Sequence, residues 1–459
     1  MNGRIVILAV GLILTTSVVF AGETVSAPAL PFAVFTAKVA AYYPRLKEAR
    51  SDVDIALARQ MQARAGFWPS VSLAAGVKVS DDPVTVFGML LRQERFTSSD
   101  FDLKRLNTPA RHQDISTGLH AEWPLFDAMQ TIGRARAAEE ALKAAASMES
   151  FTGMEALLMA QDAYLNAVML QQLSSVVNDV QQSAEADIQK ARDLKDKGMV
   201  PGADYYSARV MAGEFTRMSH GLARQKKAMM ILLNILMGES TDKEWMLSTS
   251  LKEADMPAQE VAPLVQAAFE ARPDLVAAGQ RLQAARADLD REQATGLPAL
   301  SAFGDSTNDR NDLRSSGGNN YTVGLKAAMP LFDRSRAGRV KEARAREQQL
   351  EQGIEAVKDG ISRDIAEEVA RHEAWRDNKD VLKAMRNDAA EAVTLMTPLY
   401  NEGRKSVVDL MAARRAYLEV VEAGQKAVTG AWASEGRLLF LTGRLNDATL
   451  KALAERSGL

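Results

Sequence analysis

The sequence predicts a mainly α fold with a small β part, in which long helical rods form a barrel and a few strands, four per chain, form a membrane-crossing sheet. Three observations lead there. The chain repeats itself with a period of roughly 200 residues, and internal repetition decides an architecture before any local reading does. Each repeat holds a proline-free stretch of strong helix formers, too long to lie inside a globular domain. Each repeat also holds segments alternating strictly between apolar and polar residues, about ten residues long, the length of a strand that crosses a bilayer.

The repeat is carried by motifs rather than by composition. Trp123-Pro124-Leu125-Phe126-Asp127 returns as Met329-Pro330-Leu331-Phe332-Asp333, and Pro44 and Pro69 return, equally spaced, as Pro273 and Pro298. Lys197-Gly198 with Asp204 answers Glu402-Gly403 with Asp409, and the apolar run ending at Gly238 answers the one ending at Gly443. The offset is 229 at the prolines and 206 at the Pro-Leu-Phe-Asp motifs, so the first copy carries 23 extra residues between Pro69 and Pro124. The chain thereby divides into a signal peptide (1–21), a first repeat (22–238, hairpin at 68–125, tip near 198), a linker (239–262), a second repeat (263–443, hairpin at 297–331, tip near 403) and a tail (444–459).

The signal rests on an apolar stretch from Ile5 to Phe20 behind Arg4, closed by Val19-Phe20-Ala21, whose small residues suit a signal peptidase; cleavage after Ala27 is the second choice. As a membrane anchor the stretch is short for a spanning helix. There is no cysteine, which excludes disulfides and a lipid-anchored cysteine, so packing or assembly must hold the exported chain. A formal charge of −3 offers no nucleic-acid partner, and His112, His120, His220 and His372 stand too far apart to suggest a metal site or cofactor.

No proline interrupts residues 126–200 or 332–397. A helix from 127 to 197 is a rod of about 100 Å at 1.5 Å per residue, and such a rod persists only with other helices alongside, as in a coiled coil or helical barrel. Residues 32–66, 203–237, 263–295 and 406–441 predict shorter helices, two of which laid end to end match one long rod. Each half is then a long helix that turns at its glycine tip and is lined by two short ones. Pro124 and Pro330 are expected to end strands, and Asp127 and Asp333 to cap the long helices.

From 70 to 79, Val71, Leu73, Ala75, Val77 and Val79 alternate with Ser70, Ser72, Ala74, Gly76 and Lys78. Residues 114–123 and 320–329 repeat the pattern, while 299–305 match it less well. Phe67, Trp68, Trp123 and Phe126 fall at one end of the first hairpin, where an interfacial aromatic girdle would sit. Four strands cannot close a barrel, and open edges in lipid cost several kcal/mol per unpaired group, so other copies of the chain must complete the sheet. The extra residues belong to a loop over 80–113, with Asp81, Asp82, Arg92, Arg95, Asp100, Lys104 and Arg105, which is expected to face the cell exterior and restrict the outer mouth.

This ordered set of motifs, present twice together with Arg272-Pro273-Asp274-Leu275 at a helix start, resembles the TolC-like outer membrane efflux protein family over nearly all of the mature chain. The resemblance implies a homotrimer closing a twelve-stranded barrel in outer membrane lipid, with a hollow helical cylinder reaching through the periplasm. It implies gated passive conduction as the exit duct of a tripartite efflux pump or type I secretion system, with a periplasmic adaptor and an inner-membrane pump or ABC transporter as partners.

The family pattern maps Gly403, Lys405, Ser406, Asp409 and Leu410 onto the turn that constricts the pore, and Gly198, Val200, Asp204 and Arg209 onto the matching first tip. Asp409, Lys405 and Asp204 are the implied gate residues; Gly198, Val200, Arg209, Gly403, Ser406 and Leu410 the implied adaptor contacts. Three Asp409 carboxylates around a narrow axis favour cations, although Ser406 and Asp409 also read as a capping box. The family's second acid, three positions on, is Ala412 here. Arg192, Lys197 and Arg209 are candidates to pair with acids of a neighbouring hairpin.

An enzyme is not indicated: no nucleophile elbow, phosphate loop or metal spacing is present. The alternative is a periplasmic adaptor or coiled-coil scaffold of an envelope transport complex. Adaptors, however, carry one hairpin between small β-domains, whereas this chain has two hairpins and membrane-length strands.

Overall fold

Helix propensity and proline placement shape the elements of the computed structural model, which describes residues 27–247, 251–253 and 256–459. The signal peptide read at 1–21 lies outside the described residues. The first half runs α1 (Phe32–Tyr42), α2 (Pro44–Ala65), β1 (Ser70–Ser80), α3 (Pro83–Arg92), a 3-10 turn (Ser98–Phe101), α4 (Leu103–Asn107), β2 (His112–Asp127), α5 (Gln130–Asp196) and α6 (Gly202–Met237). The second runs α7 (Val261–Ala271), α8 (Pro273–Ala294), β3 (Ala299–Arg310), β4 (Gly318–Ala328), α9 (Ser335–Asn401) and α10 (Val407–Leu441), before a terminal α11 (Asp447–Ser457). Without α3, α4 and the turn between them, the two halves have the same order of elements, and α5 and α9 are both 67 residues long.

Two expected helices are each broken in two. The segments read as 32–66 and 263–295 stop at Tyr43 and Arg272 and restart at Pro44 and Pro273. The physical reason is the proline ring, which supplies no N–H and pushes the preceding residue out of the helical region; Tyr43 has ψ 115° and Arg272 ψ 122°. Proline then serves as the first residue of the next helix, where its missing donor costs nothing. A third departure is the loop over 80–113, which is helical. Asp82 accepts from the Thr85 amide at 2.8 Å and Pro83 opens α3, so an Asp-Pro pair starts a helix in what reads as a charged loop.

The short helices meet end to end at two glycine joints. Gly238 and Gly443 close α6 and α10 with φ of +70° and +71°, the left-handed cap that glycine adopts without strain. A Cβ on Gly238 would lie 2.3 Å from the Tyr42 ring, and one on Gly443 2.7 Å from the Ala271 backbone. Each joint therefore brings the end of a return helix against the Pro44 or Pro273 break. Around this level the amino-terminal segment, the linker and α11 pack together. Tyr164 donates to the Leu30 carbonyl at 2.6 Å, Trp432 to the Lys252 carbonyl at 2.9 Å, and the Lys252 amide to the Ser457 carbonyl at 2.8 Å. Leu30, Phe32, Phe35, Tyr164, Leu233 and Leu450 form the core there. A second apolar core, with Val177, Ala208, Phe215, Leu410 and Leu418, runs on toward the tips.

The four strands form one antiparallel sheet in the order β1-β2-β3-β4, the ladder between β2 and β3 joining the hairpins. β3 continues to Arg310, beyond the weaker match over 299–305. Pro124 does not end its strand: β2 runs to Asp127, with a register shift between Pro124 and Phe126. A bulge needs no ladder donor at the proline, which is how proline is tolerated there. Pro330, by contrast, follows the end of β4. Asp127 accepts from the Thr131 amide and Asp333 from the Ser335 amide, so both acids serve helix starts that lie a few residues beyond them. The register places Val71, Leu73, Val77, Leu119, Tyr321, Val323 and Leu325 on one face, and each is more than half exposed in the single chain. Ser72, His120, Asp305 and Thr322 cross the other face, where His120 Nδ1 and Asp305 Oδ1 lie 2.6 Å apart. β1 and β4 are the two edges, each paired on one side only.

Candidate functional site

The free ends of the two helical hairpins are built alike. Gly198 and Gly403 have φ of +74° and +73°, and nothing lies within 4 Å of a Cβ built on either, so backbone conformation alone calls for glycine. At the first tip, Gly198 donates to Lys195 O and Met199 to Leu194 O, both at 2.9 Å. At the second, Gly403 donates to Tyr400 O at 3.0 Å and Arg404 to Leu399 O at 2.9 Å. These crossed bonds satisfy the last carbonyls of α5 and α9, as in a Schellman ending.

The residues after each glycine differ. Pro201 precedes α6 without a side-chain cap, and Asp204 sits in the first turn, where the helix dipole favours an anion. Ser406 and Asp409 form a reciprocal capping box at the start of α10. The Ser406 amide donates to Asp409 Oδ2 at 3.2 Å and the Asp409 amide to Ser406 Oγ at 3.1 Å. Asp409 is nevertheless exposed, one carboxylate oxygen being enough for the cap. Leu410 is fully buried between the hairpins, while Lys405, Arg209, Gly198 and Gly403 are exposed and Val200 is half-buried.

What joins the two hairpins is a seam that the sequence did not reveal. Arg414 on α10 donates to Asp187 Oδ2 on α5 at 2.7 Å, with the side chains 10% and 15% exposed. Tyr400 donates its hydroxyl to the Asp187 carbonyl at 3.2 Å, and Lys190 donates to Asn401 Oδ1 at 2.6 Å. Burial first, and the Asp187 charge second, push the Tyr400 phenol above its ordinary value, so it stays a neutral donor. Arg192, Lys197 and Arg209 are exposed and make no ion pair among the described residues. Nothing in the sequence marks Asp187 or Arg414, because their burial is set by the partner helix. The one available signal is Tyr400, a large aromatic three residues before the tip glycine.

No group of histidine, cysteine, aspartate or glutamate among the described residues could hold a metal ion. No helix among them is long and apolar enough to cross a membrane, which says nothing of strands. The described chain is thus an edge-open sheet with one apolar and one polar face, set on helical rods about 100 Å long.

The chain belongs to the outer membrane efflux protein family, whose model matches residues 38–212 and 264–444, one match in each repeat. It is 26% identical to outer membrane protein OprJ of Pseudomonas aeruginosa over 225 residues. That alignment covers 48% of this chain and spans about half, 47%, of the relative's length. Its fold is shared with a membrane protein from Pseudomonas aeruginosa (18% identity, TM-score 0.78, 92% of each chain). The Campylobacter jejuni CmeC outer membrane channel is similar too, at 16% identity and TM-score 0.76, over 93% of this chain and 89% of that one. So is the outer membrane protein VceC of Vibrio cholerae, at 18% identity and TM-score 0.74, over 90% and 96%.

Proposed function

We propose that this chain is one third of a passive exit duct in the outer membrane, serving a tripartite efflux pump or a type I secretion system. The observation that carries the reading is the sheet: four strands of membrane-crossing length, apolar on one face and polar on the other, with β1 and β4 unpaired at the edges. Three such sheets joined edge to edge close a barrel and leave no unpaired backbone in lipid. Trp68, Trp123 and Phe332, all exposed where the strands meet the helices, supply an interfacial girdle on the periplasmic side.

In this reading the periplasmic gate lies at the tips. The Asp187–Arg414 pair and the Tyr400 bond hold the second hairpin against the first, and the mouth opens when that seam parts. A periplasmic adaptor that grips the hairpins around Gly198, Val200, Arg209, Gly403 and Ser406 favours the parted arrangement only if it binds it more tightly. Leu410, buried between the hairpins, supports these positions from within instead of meeting the adaptor. Energy comes from an inner-membrane pump or ABC transporter. Three Asp409 and three Asp204 carboxylates, near the amino termini of α10 and α6, give the mouth a cation preference, with Lys405 beside them.

The test is assembly and topology together. In mild detergent the protein should run as a trimer with a hollow cylindrical outline in electron micrographs. A small tag inserted between Ser98 and Ser99 should be labelled on intact cells. A folded monomer with protected strand amides, or labelling only after the outer membrane is broken, overturns the reading.

A further inference from the structure

The extra residues of the first repeat form a compact helical lid, and it docks on one particular face of the sheet. Gln93, buried at the end of α3, donates to Asp114 Oδ1 and to the Gln113 carbonyl, both at 2.9 Å. Asn320 donates to the Arg92 carbonyl at 3.2 Å. Gly318 lies directly beneath, where a Cβ would stand 2.1 Å from that same carbonyl oxygen. The register puts Asp114, Gly318 and Asn320 on the face shared by Gly118, His120, Asp305 and Thr322, opposite the apolar face of Val71, Leu73 and Val323. In a barrel with its apolar face toward lipid, α3 therefore lies on the lumen side, at the rim farthest from the helical rods. Phe87, Phe96 and Phe101 stack edge to face in series, with centroids 4.9 and 5.0 Å apart, and hold the lid as one unit.

The lid leaves an apolar stripe uncovered. Val86, Met89 and Gln93 are buried, and Gln93 is bonded to β2 of the sheet. On the opposite side of α3, by helical spacing, stand Val84, Gly88 and Leu91; Val84 is 82% exposed and nothing lies within 4 Å of a Cβ on Gly88. The size of the barrel says what covers this stripe. Twelve strands about 4.8 Å apart and tilted about 40° enclose a cylinder of roughly 12 Å radius to the backbone. A helix with its side chains is about 10–12 Å thick, so three helices laid on the inner wall reach one another near the axis.

We propose that the insertion is a second constriction of the conduit: three α3 helices, one from each copy of the chain, meet through Val84, Gly88 and Leu91 as an apolar iris at the outer mouth. This rests on the trimeric duct proposed above. An apolar constriction of this kind resists water and ions by dewetting, and a polar solute entering from outside meets it first. The partner of the stripe is another copy of the same chain. The glycine at its centre lets three helices approach closely.

The absence of cysteine makes single-cysteine probes unambiguous. Val84→Cys and Leu91→Cys should shift from monomer to dimer bands on non-reducing gels after copper-catalysed oxidation or treatment with short bismaleimides. Val323→Cys, on the lipid face, should not. Thr322→Cys, on the lumen wall beneath the lid, should react slowly with a bulky impermeant maleimide added to intact cells. The same probe should react several-fold faster when Val84→Ser and Leu91→Ser are added. Native electrophoresis reports the trimer independently. A trimer without Val84 or Leu91 cross-links, or with Thr322→Cys labelling equal in both backgrounds, overturns the iris and leaves the duct standing; absence of a trimer overturns both.

Discussion

Replacing Arg414 by alanine tests the seam that joins the two hairpins. The pair it breaks is short, at 2.7 Å, and largely withdrawn from water, with the side chains 10% and 15% exposed. Removing one partner of a fully enclosed ion pair costs roughly 3–5 kcal/mol, because the other charge is left desolvated and unpaired. Two features lower that figure here. Asp187 keeps some contact with water, and Arg414 Nε finds no acceptor, so the guanidinium makes one bond to the carboxylate instead of the bidentate pair. The loss expected is about 2 kcal/mol, which moves a closed-to-open ratio about 30-fold. The Tyr400 bond survives, since it ends on the Asp187 carbonyl and not on the side chain. The assay is single-channel recording of the purified trimer in planar bilayers, where Arg414→Ala should show a much higher open probability than the parent. Asp187→Ala should resemble it, and the double variant should add little to either, since the two residues act through one contact. A folded Arg414→Ala trimer with unchanged open probability would refute the assignment of this pair to the gate.

Asp409→Asn separates a cap from a pore charge. Asparagine still caps a helix, so the start of α10 should lose only tenths of a kcal/mol, on the order of other good cap exchanges, while cation selectivity and block by multivalent cations in bilayer recordings should fall; unchanged selectivity leaves Asp409 as a cap alone. Gly403→Ala meets no neighbour but forces a Cβ into the left-handed region at φ +73°, so it should destabilise the tip by about 1–2 kcal/mol, visible as faster hydrogen exchange around Tyr400 and Leu399. His372 is buried with neither ring nitrogen hydrogen-bonded, and burial holds its pKa below the ordinary 6.5, against the raising charges of Glu435, Glu368 and Glu373 and alongside the lowering one of Arg376. The folded state thus resists a proton that the unfolded chain accepts: the stabilisation is complete above pH 6.5 and is lost progressively as pH falls from there toward the depressed folded value. Denaturant titrations across that window should show a slope that His372→Gln removes, and equal slopes in the two proteins would count against it.

Much of this architecture is local physics and was therefore legible in the chain. The stretches free of proline make up α5 whole and all but the last turn of α9, which runs on through Pro398 to Asn401. Gly198 and Gly403 end these helices because only glycine takes the left-handed cap without strain, and period-two alternation marks β1, β2 and β4 because successive side chains in a strand must point to opposite faces. Pro44 and Pro273 were visible as markers of the repeat, and the ring of a proline is reason enough for the breaks they cause. Asp82-Pro83 likewise carried the start signal of α3 among the charges around it.

Other features belong to no single segment. Pro124 continues a strand because β3 runs past it with a shift in register that asks for no donor at that point. Asp187 and Arg414 are unremarkable charges until α5 and α10 pack side by side and take their water away. The side of the sheet on which α3 lies depends on Gln93 reaching Asp114 and on Gly318 leaving room for a carbonyl oxygen. Propensity and periodicity act over a few neighbouring residues, so one chain displays them outright. Burial, charge pairing and the choice of face depend on residues that meet only when separate elements pack together, and only the tertiary structure decides them.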